Sequence, residues 1–220
     1  MEIDILLAGS TGLVGGEVLK KSSEAGFNTH TIVRTLSETP SPDESLIDFN
    51  EIKNLPKAKN IVICIGHPLS SYQLVLMNEN TKKTFYKVDC EYVIDLAKKA
   101  FLQGAESIAI ISAVGASPRS LNFYLKTKGE MEEEIKSIGF KKVIFARPGH
   151  LLGKRAHSRK DFGSLVLELF DRIFGVFMLG PVKKFRNIEA AEVADKVLES
   201  LNNKRPFGVY VIEYKEIIEI

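Results

Sequence analysis

Cysteine is scarce in this chain: there are two, Cys64 and Cys90, with no spacing that reads as a disulfide or a metal ligand set. One falls in an expected strand and the other in an expected helix, so both are expected as packed thiols, which suits a reducing, cytoplasmic setting. Charge of one sign is lacking too; the net charge of +2 is too small to imply a nucleic-acid surface. No apolar run approaches the ~20 residues that a membrane helix needs, and the most hydrophobic stretch, 173–179, falls far short. The chain opens on Glu2 and Asp4 where a signal peptide carries basic residues, so no targeting segment is expected. Internal repeats and long linkers are not seen, and SETPSPDES at 37–45 reads as one polar connection. What is present is 220 residues, 45% hydrophobic and 26% charged, the composition of one globular α/β domain.

The most informative stretch is the first. Ile3 to Ala8 is an apolar run with the length of a buried strand. Gly9, Gly12 and Gly15 follow at a spacing of three, and Leu13, Val14, Val18 and Leu19 then recur as on a helix. Strand, glycine turn and helix start make a phosphate cradle, because a helix begins with unpaired N–H groups and a partial positive charge. Gly9 permits the turn, Gly12 lets the backbone approach a pyrophosphate, and Gly15 lets helix and strand pack closely. The spacing differs from the usual G-x-G-x-x-G, and glycines that merely end a strand are the alternative.

Thr29 to Val33 reads as a second strand, followed directly by Arg34. A dinucleotide fold usually places an acid there for the ribose 2′-hydroxyl; an arginine instead suits a 2′-phosphate, which favours NADP over NAD. Leu46 to Phe49 reads as a short third strand whose Asp48-Phe49 end would lie beside an adenine, with Asp48 accepting from its amino group. The rival reading is a capping aspartate beside a core phenylalanine. Asn60 to Gly66 is an all-apolar fourth strand of the kind buried on both faces, and His67 after it is given no role. Thr81 to Gln103 is the longest helical pattern. This rhythm of strands and helices predicts a doubly wound parallel sheet with helices on both faces.

Ser107 to Val114 reads as the fifth strand, with Ser112 near its carboxyl end. Tyr124 lies twelve residues further on, and Lys128 one helical turn beyond it. A phenol titrating near ~10 is a poor acid–base catalyst at neutral pH unless a cation stabilises its phenolate. Lys128 can supply that charge, Tyr124 can exchange a proton with a carbonyl or alcohol oxygen, and Ser112 can hydrogen-bond the same oxygen. Lys142 to Ala146 reads as the sixth strand, closing on Arg147-Pro148-Gly149.

The segments GSTGLVG, SAVGASP, NFYLKTKGE and RPGHLLGKR together resemble the short-chain dehydrogenase/reductase superfamily, and within it the small atypical group around the HIV Tat-interacting-protein oxidoreductase. The resemblance implies a Rossmann-like fold binding NADP over nearly the whole chain. It implies Tyr124, Lys128 and Ser112 as the catalytic set, Lys128 also bonding the nicotinamide ribose. Ser10, Thr11, Leu13 and Val14 would line the pyrophosphate, Arg34 the 2′-phosphate, and Ile65 and Gly66 the adenosine half. Leu151 and Arg159 would touch the nicotinamide. Many relatives carry a second serine where this chain has Ala113, which puts the identity of the catalytic hydroxyl in doubt.

Residues 150–185 are expected to supply a small substrate-side extension with a helix and a lid. The basic run Lys154 to Lys160 is either a solvated loop or a cover over an anion. The apolar stripe between Ser164 and Leu179 suits core or a subunit interface, so a homodimer is among the expected assemblies. The expected activity is hydride transfer between NADP and the carbonyl or alcohol carbon of a small, apolar-leaning substrate. The rival is a regulator that binds NADP without turnover and acts through protein partners.

Overall fold

The computed structural model describes residues 2–36, 43–149, 151–152, 188–202 and 206–218. Its centre is β1 (Ile3–Ala8), in which Ile5 to Ala8 are almost wholly buried. Parallel partners lie on both sides of it: β2 (Thr29–Val33) and β4 (Ala58–Ile63). With β3 (Glu44–Leu46), β5 (Ser107–Ile111), β6 (Lys142–Ala146) and a late strand, β9 (Gly208–Ile212), they form a seven-stranded sheet in the order 3-2-1-4-5-6-9. Every pairing in it is parallel. A separate short pair joins β7 (Leu151–Leu152) to β8 (Ile188–Glu189). The order reverses between β1 and β4, and the crevice outside the carboxyl ends at that point is where ligands of such sheets bind.

Alternation along each strand feeds two cores. Leu6 and Ala8 face one side with Val93, Leu96 and Met131, while Ile5 and Leu7 face the other with Val18, Val193 and Val197. The second layer holds α1 (Leu13–Glu24) against α6 (Ala190–Asn202), joined at the rim by a 2.7 Å pair between Lys21 and Asp195. A short helix, α7 (Tyr214–Ile218), follows β9. This is the doubly wound, helix-flanked α/β fold expected from the sequence. No helix of the described residues is long and apolar enough to cross a membrane.

Several boundaries differ from the sequence expectation. The third strand ends at Leu46, so Asp48 and Phe49 lie in the turn beyond it. The long helix is three pieces: α3 (Glu79–Tyr86), a π-turn at Lys87–Glu91, and α4 (Tyr92–Leu102). A π-turn adds a residue to the helical repeat without breaking it, which an apolar stripe read at ordinary spacing does not reveal. A brief α2 (Ser71–Val75) precedes them, opened by a capping box between Ser70 and Gln73. The helix α5 (Phe123–Ile138) begins at Asn122, whose side-chain oxygen accepts from the Leu125 N–H at 3.0 Å. It ends at Gly139, whose φ of +106° is a left-handed stop. Arg159, the basic run 154–160 and the stripe within 164–179 lie outside the described residues.

Candidate active site

The turn after β1 is built by contacts that only glycine allows. Gly9 has φ +92°, and a Cβ there would sit 2.7 Å from the Cys64 carbonyl carbon. A Cβ on Gly15 would run into the Gly9 carbonyl oxygen. The first turn of α1 therefore lies directly against the end of β1, with Gly12 as its N-cap. No side chain caps that helix start and no acid stands in its first turn, so its N–H groups face the crevice.

Two cavities open along this edge and share Thr11, Gly12, Cys64, Ile65 and Gly66. The first, about 390 Å³, is lined by Gly9, Ser10, Arg34, Phe49 and Tyr92 besides the shared residues. Arg34 is exposed at its margin and has no carboxylate partner among the described residues. Phe49 is buried there, edge-on to Tyr92 at 5.9 Å. Asp48 does not line this cavity. Its carboxylate accepts from the Asn50 backbone and side-chain amides, both at 2.9 Å, which holds its pKa below the ordinary range. That geometry fits the capping alternative of the sequence reading.

The second cavity, about 670 Å³, takes in Leu13, Val14, Ser112, Tyr124, Lys128 and Leu151 among its lining residues. Tyr124 and Lys128 thus share one wall, one turn apart on α5. Gly129 presses this helix onto the loop after β5: a Cβ there would overlap Ser117 and Pro118. Behind Tyr124 stands the wholly buried Phe85, its ring 5.3 Å away.

Two charged partners in this wall were not anticipated. The Lys128 ammonium lies 2.8 Å from Asp89, which the π-turn buries, and both side chains are about 95% enclosed, 5% and 4% exposed. The other Asp89 oxygen accepts from the His67 N–H at 2.6 Å, tying the loop after β4 to α5. Burial alone would depress the Lys128 pKa; Asp89, together with Tyr124 and Glu132, outweighs it and the ammonium is held above its ordinary value. Burial likewise pushes the Tyr124 phenol up, and Lys128 draws it down only in part because Asp89 opposes it. The expected cation beside the phenol is present, but its charge is shared with an acid.

Ser112 is the second difference. Its hydroxyl donates to Glu132 at 2.5 Å, and Glu132 is 1% exposed. Glu132 also accepts from Arg147 Nε at 2.9 Å and from its terminal nitrogen at 2.5 Å. A carboxylate so paired is charged and can only accept, so the serine proton is committed to it. A hydrogen bond to a charged group contributes about 1.5–3 kcal/mol, against about 0.5–1.5 for a neutral one, so turning Ser112 toward a carbonyl is unfavourable. The next residue, Ala113, supplies no hydroxyl. Asp89 and Glu132 left little trace in the sequence. Glu132 stands at the same i+4 step beyond Lys128 as Lys128 beyond Tyr124, and that was the available signal.

The sheet order and the glycine-built edge define a Rossmann-type α/β protein. Among solved structures, the human epimerase family protein SDR39U1 with NADPH superposes with a TM-score of 0.68 at 18% identity, covering 96% of this chain and 74% of that one. The UDP-glucose 4-epimerase of Thermotoga maritima with UDP-glucose gives 0.66 at 13%, covering 96% and 76%. At such identities the likeness is one of fold. No family model matches the chain.

Its sequence relatives are narrower. Protein FMP52 of Meyerozyma guilliermondii is 31% identical over 214 residues, 94% of this chain and 90% of the relative. That of Debaryomyces hansenii is 30% identical over 181 residues, 81% and 78%. The chain belongs to the FMP52 family. Both relatives are named as mitochondrial proteins, which overturns the cytoplasmic expectation. Two packed thiols speak to redox conditions and carry no address.

Proposed function

We propose that this chain is an NADP-dependent oxidoreductase of the short-chain type, working in mitochondria as its relatives' names indicate, in which Tyr124 and Lys128 carry the acid–base chemistry. The observation that carries the reading is the single trough formed by the two cavities. It runs from Arg34, past the uncapped start of α1, to Tyr124. The residues suit a dinucleotide: a Cβ on Gly9 or Gly15 would close the turn that the phosphates need. Ser10, Thr11, Gly12, Leu13 and Val14 would hold the pyrophosphate, Ile65, Gly66 and Phe49 the adenosine side, and Leu151 the nicotinamide side. Bound NADPH supplies a hydride to the substrate carbon. Tyr124 would give its proton to the carbonyl oxygen, so the carbonyl gains a hydride on carbon and a proton on oxygen and leaves as an alcohol. Lys128 holds its charge beside the phenol, and the phenol regains a proton from solvent. The likeness to the Tat-interacting-protein group rests on Tyr124, Lys128 and the Arg147-Pro148-Gly149 turn.

The rival reading, an NADP-responsive regulator without turnover, draws support from the Ser112 proton committed to Glu132. Arg34→Ala separates cofactor preference from both readings. It is expected to weaken NADPH binding about tenfold or more and NADH binding by less than about twofold, in line with the loss of one charge-assisted phosphate contact. Calorimetric titrations showing equal losses for the two nucleotides would remove the 2′-phosphate role.

A further inference from the structure

We infer that the substrate is an uncharged carbonyl compound carrying an aliphatic chain, and that the chain lies along an apolar track from the reacting cavity to the start of α5. This rests on the reading of Tyr124 and Lys128 as the reacting pair. Beyond them the cavity wall is Pro68, Leu69, Leu74, Val114, Pro148 and Leu151, with no free cation among its described residues. Lys128 is the one lysine or arginine among those lining residues, and Asp89 neutralises it. Against the described lining, a diphosphate or carboxylate would lose its hydration and meet, besides His67, only a lysine already paired with Asp89. An aliphatic chain loses nothing by entering.

The track continues outward. Leu74 is both a lining residue and 37% exposed, so it stands at the mouth. Its carbonyl accepts from the Asn122 side-chain amide at 2.8 Å, which fixes α2 against the start of α5. Tyr72 and Leu76 flank it on its own segment, and Leu121 stands beside Asn122; all three are largely or wholly exposed. Leu74 thus joins the cavity that ends at the acid–base pair to the start of α5, where Leu121 is exposed, and an occupant entering there reaches that pair. Large exposed apolar patches mark binding sites of this sort. The chemistry of that occupant is a chain bearing a carbonyl at its inner end.

The test is a homologous series of straight-chain aldehydes from four to ten carbons, reduced with NADPH by the full-length protein. The carboxylate-bearing aldehydes of matching length run in parallel. The value of kcat/KM is expected to rise about fourfold per methylene, the worth of moving one CH₂ out of water. It is expected to fall by at least tenfold when a carboxylate ends the chain. Leu74→Asp and Leu121→Asp are expected to flatten the slope, with Leu74→Ala flattening it in part. NADPH titration of each variant reports whether it has kept its fold. Reduction without dependence on chain length, a preference for the carboxylated series, or NADPH binding with no reduction of any member overturns the substrate assignment while leaving the cofactor site standing. Failure to bind NADPH at all overturns the function on which the assignment rests.

Discussion

Tyr124→Phe is expected to lower turnover by about a thousandfold, within the 10²–10⁴ range of a positioned proton donor, while leaving NADPH affinity within about twofold. The change removes one oxygen and keeps the ring that packs on Phe85 at 5.3 Å, so the wall it forms survives. Ser112→Ala is expected to behave differently, because the Ser112 proton goes to Glu132 and not to the substrate. Its loss of turnover should stay below about tenfold, and its main effect should be on stability, by about 1.5–3 kcal/mol for one hydrogen bond to a charged group, since Arg147 Nε still serves that Glu132 oxygen. Single-turnover rates and urea unfolding of both variants decide the matter. A Ser112→Ala enzyme as dead as Tyr124→Phe would restore the serine to the reacting set. The pH dependence has a definite sign as well. With burial raising the phenol's pKa, Tyr124 is protonated across neutrality. Carbonyl reduction should then run level through neutral pH, whereas alcohol oxidation, which needs the phenolate, should climb steadily into the alkaline range.

How much of this was legible beforehand depended on whether the signal was local. The glycine turn announced itself because strand end, glycine spacing and helix start form one local segment, with Gly12 and Gly15 both set against the Gly9 carbonyl. The pair Tyr124 and Lys128 was legible for the same reason, since one helical turn puts both on one face. The parallel, helix-flanked sheet followed from the alternation of apolar strands and amphipathic helices, and the central strands came out within a few residues of their expected ends. Asp48 carried two readings in the sequence, and the two donors of Asn50, two residues on, favour the capping one. The partners of the reacting groups were the part that could not be read. Asp89 lies on a π-turn that brings an acid inside a helix whose stripe, read at 3.6 residues per turn, has no place for one. Arg147 was noted only as the start of a turn, yet it clamps Glu132 and with it Ser112. Such contacts join residues distant along the chain, and residue type alone does not distinguish a buried pair from two solvated charges.

The buried pair of Lys128 and Asp89 sets up the other large effect. Asp89→Asn is expected to cost about 3–5 kcal/mol at neutral pH, the range for stripping one partner from a buried ion pair. It keeps the shape and can still accept from the His67 N–H that Asp89 holds at 2.6 Å, so the loss is electrostatic. In the native protein the folded Lys128 pKa stands above the ordinary 10.5, so its contribution is complete below that value and fades only as pH rises through the still higher folded value. Without Asp89 the burial that opposes the charge is left in command, and the folded pKa falls below the unfolded one. The unfolded chain then binds more protons than the folded one between the two values, and stability must rise with pH there. Urea unfolding at steps from pH 6 to 10 should show Asp89→Asn recovering part of its loss toward the alkaline end, while the native protein shows no such gain from this residue. A variant whose deficit is constant across that span, or widens, would mean that Lys128 finds its counter-charge elsewhere. The same variant should also lower the pH at which alcohol oxidation sets in wherever Lys128 stays protonated, because the acid that offsets its pull on the Tyr124 phenol is gone.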